Sequence, residues 1–209
     1  MRDLVLVRGW AVSQELQRHP VQQLNAHGYV IAGGASRRFG TDKARAVHDG
    51  RTLLEGAAGV LRDVGVPVTV VCAPGRTYED LGLRCIEDLR PGDGPLSALH
   101  AALTDRADGW VALVACDLAG ARPEWLRILA DRAGDAPAVA FRADGIWQPV
   151  FALYSTELLP EVERRLDRGL LAARRMLDDV AFAVDPPPGF SRMRSVDTPQ
   201  ALDEIGNDE

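Results

Sequence analysis

The fold of this chain is decided by residues 29–43, which read YVIAGGASRRFGTDK. The stretch opens with an apolar run that ends at Ile31 and Ala32, and two glycines, Gly33 and Gly34, follow at once. A short continuous apolar run is typical of a strand buried on both faces of a parallel sheet. Ligands bind beyond the carboxyl ends of such strands, where glycines let backbone N–H groups approach phosphate oxygens. The stretch therefore predicts a first strand followed by a phosphate-binding loop.

The cations of this loop suit a phosphate ligand, although the spacing is not that of the best-known phosphate loops. Arg37, Arg38 and Lys43 can neutralise phosphate charge. A Walker loop has four residues between its glycines and then Gly-Lys-Ser/Thr. Here five residues separate Gly34 from Gly40, and two more precede Lys43. No GxGxxG dinucleotide fingerprint follows the strand either. By spacing alone, a glycine-rich turn with solvated arginines stays an alternative.

Outward from this stretch, short apolar runs alternate with segments of helical periodicity. One buried helix face is marked by apolar residues at spacings of three and four, namely Leu53, Leu54, Ala57, Ala58 and Leu61. We predict strands at 29–32, 66–72, 83–87, 110–115, 138–141 and 150–154, with a last short strand within 194–197. We predict helices at 52–64, 95–105, 123–133, 156–168, 170–178 and 198–205. This alternation predicts an α/β fold with a doubly wound, mostly parallel sheet and helices on both faces.

Length and composition indicate one globular domain with an extension. Hydrophobic residues make up 46% and charged residues 26% of the 209 residues, which is the balance of an ordinary globular protein. The segment 1–27 lacks the strand and helix rhythm of the rest. We therefore predict an N-terminal extension at 1–27 and a single domain at 28–209, a length that one core can serve.

Charge and cysteine usage exclude several classes of protein. A net charge of -6 repels nucleic acid and anionic membranes, so we expect neither as a partner. The apolar run near the start is interrupted by Asp3 and Arg8, which makes it too short and too charged for a signal peptide or a membrane span. Cys72, Cys85 and Cys116 form no CxxC pair, so no zinc knuckle or disulfide framework is indicated. We expect a cytoplasmic protein.

Residues 32–44 carry a family resemblance, since they read AGGASRRFGTDKA. They resemble the LAGGxSxRxGxDKA signature of the molybdenum cofactor guanylyltransferase family (MobA-like nucleotidyltransferases), with Ile31 in place of the leading leucine. Further segments are similar to the family's in the same order, namely 86–88, 94–99, 116–117, 148–154 and 196–199. The resemblance spans residues 29 to about 205 and implies the Rossmann-like nucleotidyltransferase fold.

The resemblance also implies a reaction. It implies a Mg²⁺-dependent enzyme that transfers GMP from GTP to molybdopterin cofactor and releases pyrophosphate. The implied nucleotide-binding residues are Ile31, Ala32, Gly33, Gly34, Lys43, Asp88 and Asp117. Because the attacking phosphate is already ionised, catalysis would rest on positioning and on charge neutralisation by Lys43, Arg37 and the metal on Asp117. The alternatives are a cytidylyltransferase, a sugar- or alditol-phosphate nucleotidyltransferase, and a nucleotide-binding protein without catalysis.

Two aspartates are candidate metal ligands. Asp117 directly follows an apolar run, so we expect it at the carboxyl end of a central strand beside the first loop. Mg²⁺ often uses one or two protein carboxylates plus substrate phosphates, and the resemblance assigns magnesium to Asp117. A helix cap is the alternative. Asp197 is the candidate for a second metal ligand, because related nucleotidyltransferases carry an acid near this Thr-Pro segment. Capping the helix that begins at Thr198 or Pro199 is an equal alternative.

Base and acceptor recognition depend on two further residues. The resemblance implies that Asp88 contacts the nucleotide, and one carboxylate can accept both the N1–H and N2–H₂ donors of guanine. A turn aspartate before Arg90 is the competing interpretation. Trp147 lies in a segment that the family uses near its second substrate, where an aromatic face can stack on a pterin; packing under a loop is the alternative.

Besides Ile31, the chain departs from the family at Ala119 and Cys72. Ala119 stands where the family usually has the proline of an Asp-x-Pro sequence, and Cys72 lies where an asparagine often follows the second strand. The second departure removes one expected polar contact to the base or ribose. Base specificity is therefore less determined by the sequence than the reaction class is.

Overall fold

The computed structural model describes residues 21–33, 39 and 42–205. Its strands are β1 (Ala26–Ile31), β2 (Val47–His48), β3 (Arg51–Thr52), β4 (Val68–Cys72), β5 (Arg84–Glu87), β6 (Trp110–Ala115), β7 (Leu118–Ala119), β8 (Ala138–Ala143), β9 (Ile146–Ser155), β10 (Ala181–Val184) and β11 (Arg194–Ser195). Its α-helices are α1 (Leu53–Asp63), α2 (Pro95–Asp105), α3 (Pro123–Ala130), α4 (Leu159–Asp167), α5 (Ala173–Val180) and α6 (Pro199–Ile205). The alternation of strand and helix confirms the predicted α/β class.

Seven strands form the central sheet, in the order β10-β8-β9-β6-β1-β4-β5. Neighbouring strands are parallel except at β9, which runs antiparallel to both β6 and β8. The chain moves from β1 outward to β4 and β5 and then returns to the other side of β1 with β6. Open α/β sheets bind ligands at such a reversal of strand order, beyond the carboxyl ends of the strands. The fold thus marks the ends of β1 and β6 as the place for a site.

Helices cover both faces of the sheet, as two neighbouring residues of β1 demonstrate. A Cβ on Gly28 would lie 2.9 Å from a methyl group of Leu61 in α1. Tyr29 instead donates a hydrogen bond to Asp105 at the end of α2. Because successive side chains of a strand point to opposite faces, α1 and α2 lie on opposite faces. α3 packs against α1 and α4 against α2, so the doubly wound arrangement is confirmed.

The start of α1 follows from its capping residues. Glu55 N donates to Thr52 Oγ1 at 3.1 Å, and Thr52 N donates to Glu55 Oε2 at 2.8 Å, which together form a capping box. Beyond the cap, Leu54, Ala58 and Leu61 are fully buried against the sheet. This fixed start places the short β2–β3 hairpin, which directly precedes α1, at the carboxyl edge of the sheet.

Several boundaries differ from the predicted ones. β9 is longer than predicted, because it pairs with both β6 and β8 along its length. β10 was not predicted, since its four residues form a partly exposed edge strand directly after α5. β1 begins two residues before the predicted start of the domain, and Val21 is buried as well. Helix ends shift by up to three residues, as in α3 and α5. Tertiary pairing therefore extends elements beyond their local patterns.

Two expectations about the chain as a whole bear on its chemistry. Cys72, Cys85 and Cys116 are all free, in keeping with their spacing in the sequence. None of the helices in the described ranges is long and apolar enough to cross a membrane.

Candidate active site

The carboxyl ends of β1, β4 and β6 meet at the centre of one edge of the sheet. Cys116 N donates to Ile31 O at 3.1 Å, and Ala32 N donates to Val71 O at 2.9 Å. Ile31 and Ala32 are buried, whereas Gly33 is half-buried. The loop that was predicted to bind phosphate therefore leaves the sheet between β4 and β6, at the reversal of strand order.

Three predicted site residues come together at this edge. Lys43 Nζ lies 2.7 Å from Asp117 Oδ2 and 2.9 Å from Asp197 Oδ1. Ser195 Oγ donates a further hydrogen bond to Asp117 Oδ2 at 3.0 Å. Lys43 belongs to a 3-10 turn after the first loop, Asp117 follows β6, and Asp197 precedes α6. Segments far apart in the sequence thus form one centre of a cation and two carboxylates.

The charge state of Lys43 is set by this environment. Burial alone would lower the pKa of Lys43, because it penalises the charged ammonium. Hydrogen bonds and charge attraction from Asp117 and Asp197 outweigh that effect and raise the pKa above its ordinary value. Lys43 is therefore a permanent positive charge at neutral pH. It is also the only lysine among the 24 Lys and Arg residues of the chain, and its compact ammonium offers three donors.

The helix-cap alternative for Asp117 is wrong. The residues after Asp117 form β7, and α3 begins only at Pro123. The backbone oxygen of Asp117 accepts instead from Val196 N at 2.9 Å, which joins the end of β6 to the segment before α6. That backbone contact brings the Asp117 and Asp197 segments together.

The cap of α6 is Thr198 and not Asp197. Ala201 N donates to Thr198 Oγ1 at 3.2 Å, which is the hydrogen bond of a helix cap. The Asp197 carboxylate accepts from Lys43, and 60% of its side chain is exposed. Asp117 is more enclosed, with 22% of its side chain exposed. One carboxylate of the centre is therefore held inside the site and the other faces solvent.

Asp88 lies one residue beyond β5, along the same edge. It is buried, and its backbone N donates to Cys72 O at 2.8 Å. Its Oδ1 accepts a short hydrogen bond from Ser97 Oγ of α2 and a second one from Arg90 N at 3.0 Å. The Arg90 contact is the turn interaction of the competing interpretation. The Ser97 contact is not required for this turn. It ties the carboxylate to α2 and so fixes its orientation.

Trp147 is a packed, buried side chain, as in the alternative to pterin stacking. Only 5% of it is exposed, and its Nε1 donates to Asp178 Oδ1 at 2.8 Å. The guanidinium of Arg142 lies 4.9 Å from the ring centroid and covers one face. The side chain therefore anchors the start of β9, and the interpretation as a pterin-stacking face is not supported.

A polar cluster that no sequence motif indicated holds the residue before Lys43. Tyr78 OH donates to Asp42 Oδ2 at 3.0 Å, and Arg76 Nη1 lies 3.2 Å from Asp42 Oδ1. Tyr78 is a single aromatic residue between two apolar runs, which gave no reason to link it with Asp42. The one sequence signal that could have drawn attention to this region is the uniqueness of Lys43.

A cleft of about 360 Å³ opens beside the centre. Its walls are the β2–β3 hairpin, one side of α1 and the backbone on either side of Asp117. A Cβ on Gly56 of α1 would meet nothing within 4 Å, so there is free space over this part of the helix. Ala119, where the family usually has proline, also lines the cleft.

Three residues of the predicted loop, Gly34, Arg37 and Arg38, lie outside the described residues. Their assignment to nucleotide binding and catalysis stays a prediction from the sequence.

Comparisons with known proteins agree with this geometry. The model of the MobA-like NTP transferase domain family matches residues 28–184. The chain is 42% identical over 146 residues to a "Probable molybdenum cofactor guanylyltransferase" of Deinococcus radiodurans, covering 69% of this chain and 72% of the relative. It is 35% identical to a protein of the same description from Pelotomaculum thermopropionicum, over 68% of this chain and 70% of the relative.

Among solved structures, the chain is similar to molybdopterin-guanine dinucleotide biosynthesis protein A from Archaeoglobus fulgidus. The TM-score is 0.70 at 23% sequence identity, and the match covers 87% of this chain and 97% of that one. At this identity the likeness supports the fold, which agrees with the observed sheet.

Proposed function

The chain belongs to the MobA-like NTP transferase family and is a nucleotidyltransferase, and we propose that it transfers GMP from GTP to the terminal phosphate of molybdopterin cofactor. The observation that carries this proposal is the centre of Lys43, Asp117 and Asp197 at the reversal of strand order. The choice of GTP and molybdopterin rests on the family signature and on the descriptions of the relatives. Free cysteines agree with the proposed cytoplasmic location.

In the proposed reaction, an oxygen of the acceptor phosphate attacks the α-phosphorus of GTP. A bond forms between that oxygen and the α-phosphorus, and the bond from the α-phosphorus to the bridging oxygen of the β-phosphate breaks. Pyrophosphate leaves with the electron pair. Because the attacking phosphate is already ionised, no protein base has to remove a proton. The work of the protein is to align the reactants and to neutralise negative charge.

The triphosphate is proposed to bind at the carboxyl end of β1. The proposed binding residues are Ile31, Ala32, Gly33, Gly34 and Lys43, with Arg37 as an additional cation. The raised pKa of Lys43 agrees with a charged ammonium at the site. A lysine ammonium in this position stabilises charge on phosphate oxygens without bidentate geometry.

Asp117 and Asp197 are the proposed ligands of a divalent metal, most simply Mg²⁺. They supply hard carboxylate oxygens, and both already accept from a cation in this structure. The described residues contain no group of three or more His, Cys, Asp and Glu side chains that could hold a metal. A site of two carboxylates completed by substrate phosphates is the arrangement that Mg²⁺ commonly uses. Bound there, Mg²⁺ would supply charge neutralisation at the phosphates.

Asp88 is the proposed reader of the base. Its carboxylate is buried and oriented by Ser97 and by the backbone of Arg90, both of which bond to Oδ1. A fixed carboxylate can accept from the two adjacent donors on guanine, whereas cytosine offers a single amino donor. This supports GTP over CTP, while Cys72 at the usual asparagine position removes one polar contact that would help to specify the base.

The test is a panel of nucleoside triphosphates with Mg²⁺ and candidate acceptors, read by pyrophosphate release. The acceptors are molybdopterin cofactor, a sugar 1-phosphate and an alditol phosphate. We expect release with GTP and molybdopterin cofactor. Release only with CTP or only with another acceptor would replace the proposed substrate. Nucleotide binding in calorimetry without release in any combination would favour the non-catalytic alternative.

A matched pair of variants assigns any release to this centre. Asp117→Asn removes one carboxylate charge from the site, and Asp131→Asn makes the same change at the end of α3. We expect release to be lost in the first variant and kept in the second. Equal release in both variants would remove Asp117 from the mechanism.

A further inference from the structure

Lys43 is held at its place by a short turn whose first residue is Asp42. Lys43–Arg45 form a 3-10 turn, and Asp42 is its N-cap. Ala44 N donates to Asp42 Oδ1 at 3.2 Å, so the carboxylate of Asp42 caps the turn. Because Asp42 and Lys43 are consecutive, the direction in which Lys43 leaves the backbone depends on how Asp42 is oriented.

The carboxylate of Asp42 is in turn held by the connection between β4 and β5. Tyr78 OH donates to Asp42 Oδ2 at 3.0 Å and lies 3.2 Å from Oδ1. Arg76 Nη1 lies 3.2 Å from Oδ1. Tyr78 is fully buried, and burial together with the Asp42 hydrogen bond raises the pKa of its hydroxyl above the ordinary value. The hydroxyl therefore stays protonated and acts as a fixed donor.

The other end of the turn is tied to the same connection. The guanidinium of Arg45 binds Asp80 through two hydrogen bonds of 2.6 and 2.8 Å. It also lies 5.1 Å from the centroid of the Tyr78 ring. Tyr78 thus contacts both residues that flank Lys43 and Ala44. The side-chain hydroxyl holds the start of the turn, and the ring supports its end.

We propose that Tyr78 is a positioning residue for Lys43, and that with Arg76 it holds the Asp42 cap so that the ammonium lies between Asp117 and Asp197. The role of Lys43 in turnover rests on the proposed function, whereas its placement by Tyr78 does not. A lysine side chain is flexible, because its four-carbon stem has four rotatable bonds. The stem itself therefore does little to fix the position of the ammonium. Because no other lysine exists in the chain, a displaced Lys43 has no substitute of its kind.

A second buried tyrosine provides a matched control. Tyr29 is as buried as Tyr78 and donates to Asp105 Oδ2 at 2.8 Å. Asp105 is also held by an arginine, Arg84, through two hydrogen bonds of 2.7 Å. This cluster lies at the far end of α2 and has no contact with Lys43. Tyr29→Phe and Tyr78→Phe therefore remove the same kind of hydrogen bond at two places. Only the bond of Tyr78 is made to the turn that carries Lys43.

The single lysine makes the placement directly measurable. In protein labelled with ¹⁵N-lysine, the side-chain amino signal in NMR belongs to Lys43 alone. In Tyr78→Phe we expect this signal to move toward that of a solvated lysine. In Tyr29→Phe we expect the signal of the wild type. Melting temperatures should fall by similar amounts in both variants, because each loses one buried hydroxyl–carboxylate bond.

Turnover provides the second measurement. In Tyr78→Phe we expect kcat to fall between about 10- and 100-fold, as for other small misplacements of a catalytic group. The KM for the acceptor should not change, and Tyr29→Phe should keep the wild-type kcat. If the wild type releases no pyrophosphate with any substrate, the proposed function fails, and the NMR signal still decides the role of Tyr78.

Two results would overturn the proposal. One is an unchanged Lys43 signal in Tyr78→Phe, and the other is an equal change in both tyrosine variants. Should Tyr78→Phe fail to fold, Arg76→Gln removes a half-exposed partner of Asp42 without altering the core. A change of the Lys43 signal in Arg76→Gln then supports the proposal, and the wild-type signal contradicts it.

Discussion

Two clusters of the same residue types lie at opposite ends of the sheet. At the carboxyl edge, Tyr78 and an arginine hold Asp42. Toward the amino ends of the strands, Tyr29 and Arg84 hold Asp105. In both clusters a buried hydroxyl donates to a carboxylate that an arginine also binds, and burial with the hydrogen bond raises the pKa of each tyrosine.

The difference lies in the backbone to which each carboxylate belongs. Asp105 ends α2, and its partners lie on β1 and β5, so its cluster joins a helix to the sheet. Asp42 caps the turn that carries Lys43 at the reversal of strand order. We therefore propose that identical chemistry serves stability in one place and the orientation of Lys43 in the other. The local contacts alone do not distinguish the two roles.

The largest expected difference between the two ends is in turnover. We expect Asp117→Ala and Lys43→Ala to lower kcat by about 10²- to 10³-fold, the loss seen when one charge-stabilising group is removed from an active site. Asp105→Ala should keep kcat near the wild-type value. Pyrophosphate release under saturating substrate measures all three, and circular dichroism checks that each variant is folded. Full turnover in both site variants would end the distinction between the two edges.

The second difference is in stability. Asp105→Ala leaves the buried hydroxyl of Tyr29 without its acceptor, and we expect a loss of about 1–3 kcal/mol in the free energy of unfolding. Urea denaturation measures it. Asp108 is an exposed aspartate three residues after the end of α2, and the control Asp108→Ala should cost much less. Equal stability of Asp105→Ala and the wild type would show that this cluster does not hold the helix to the sheet.

The dependence of stability on pH in the acid range reports on the cluster of Tyr29, Arg84 and Asp105. Hydrogen bonds from Arg84, and to a lesser degree from Tyr29, lower the pKa of Asp105 despite the opposing effect of burial. A lowered pKa gives stability that is present above the unfolded value of about 3.9 and is lost as pH falls through the folded value. The stability difference between wild type and Asp105→Asn should therefore shrink as pH falls below about 4.

The dependence of stability on pH in the alkaline range reports on Lys43 at the site. Lys43 has a raised pKa, so its contribution is present below the unfolded value of about 10.4 and is lost as pH rises through the folded value. The stability difference between wild type and Lys43→Met should shrink in that range. The tyrosines are the same in both proteins, so their titration cancels. A constant difference up to pH 12 would contradict the raised pKa.

The smallest expected effect comes from a third aromatic–carboxylate pair, Trp147 and Asp178. Trp147→Phe removes the 2.8 Å hydrogen bond and part of the ring under Arg142. We expect about 1 kcal/mol of destabilisation and no change in the KM for the acceptor. Thermal denaturation and acceptor titration are the measurements. A KM increase larger than tenfold would restore the pterin-stacking interpretation of Trp147.

Much of the architecture was accessible from local patterns. The strand 110–115 and the helix 95–105 were predicted with their observed bounds, because their apolar runs and flanking residues are unambiguous. β10 and the two-residue strands β2, β3 and β7 were missed, since so few residues show no periodic pattern of their own. The same limit applied to the site. The strand-end position of Asp117 predicted that this residue lies beside the first loop. Only the tertiary structure shows that Thr198, and not Asp197, caps α6.

The sequence by itself determined the α/β class, the loop after the first strand, and the pairing of that loop with the aspartate after β6. These depend on short periodic patterns and on the rule that parallel strands end at a common edge. The tertiary structure alone decided that Asp197 reaches Lys43 across 154 residues and that Tyr78 holds Asp42 across 36. Such contacts follow from the order of strands in the sheet, and no spacing within the chain encodes that order locally.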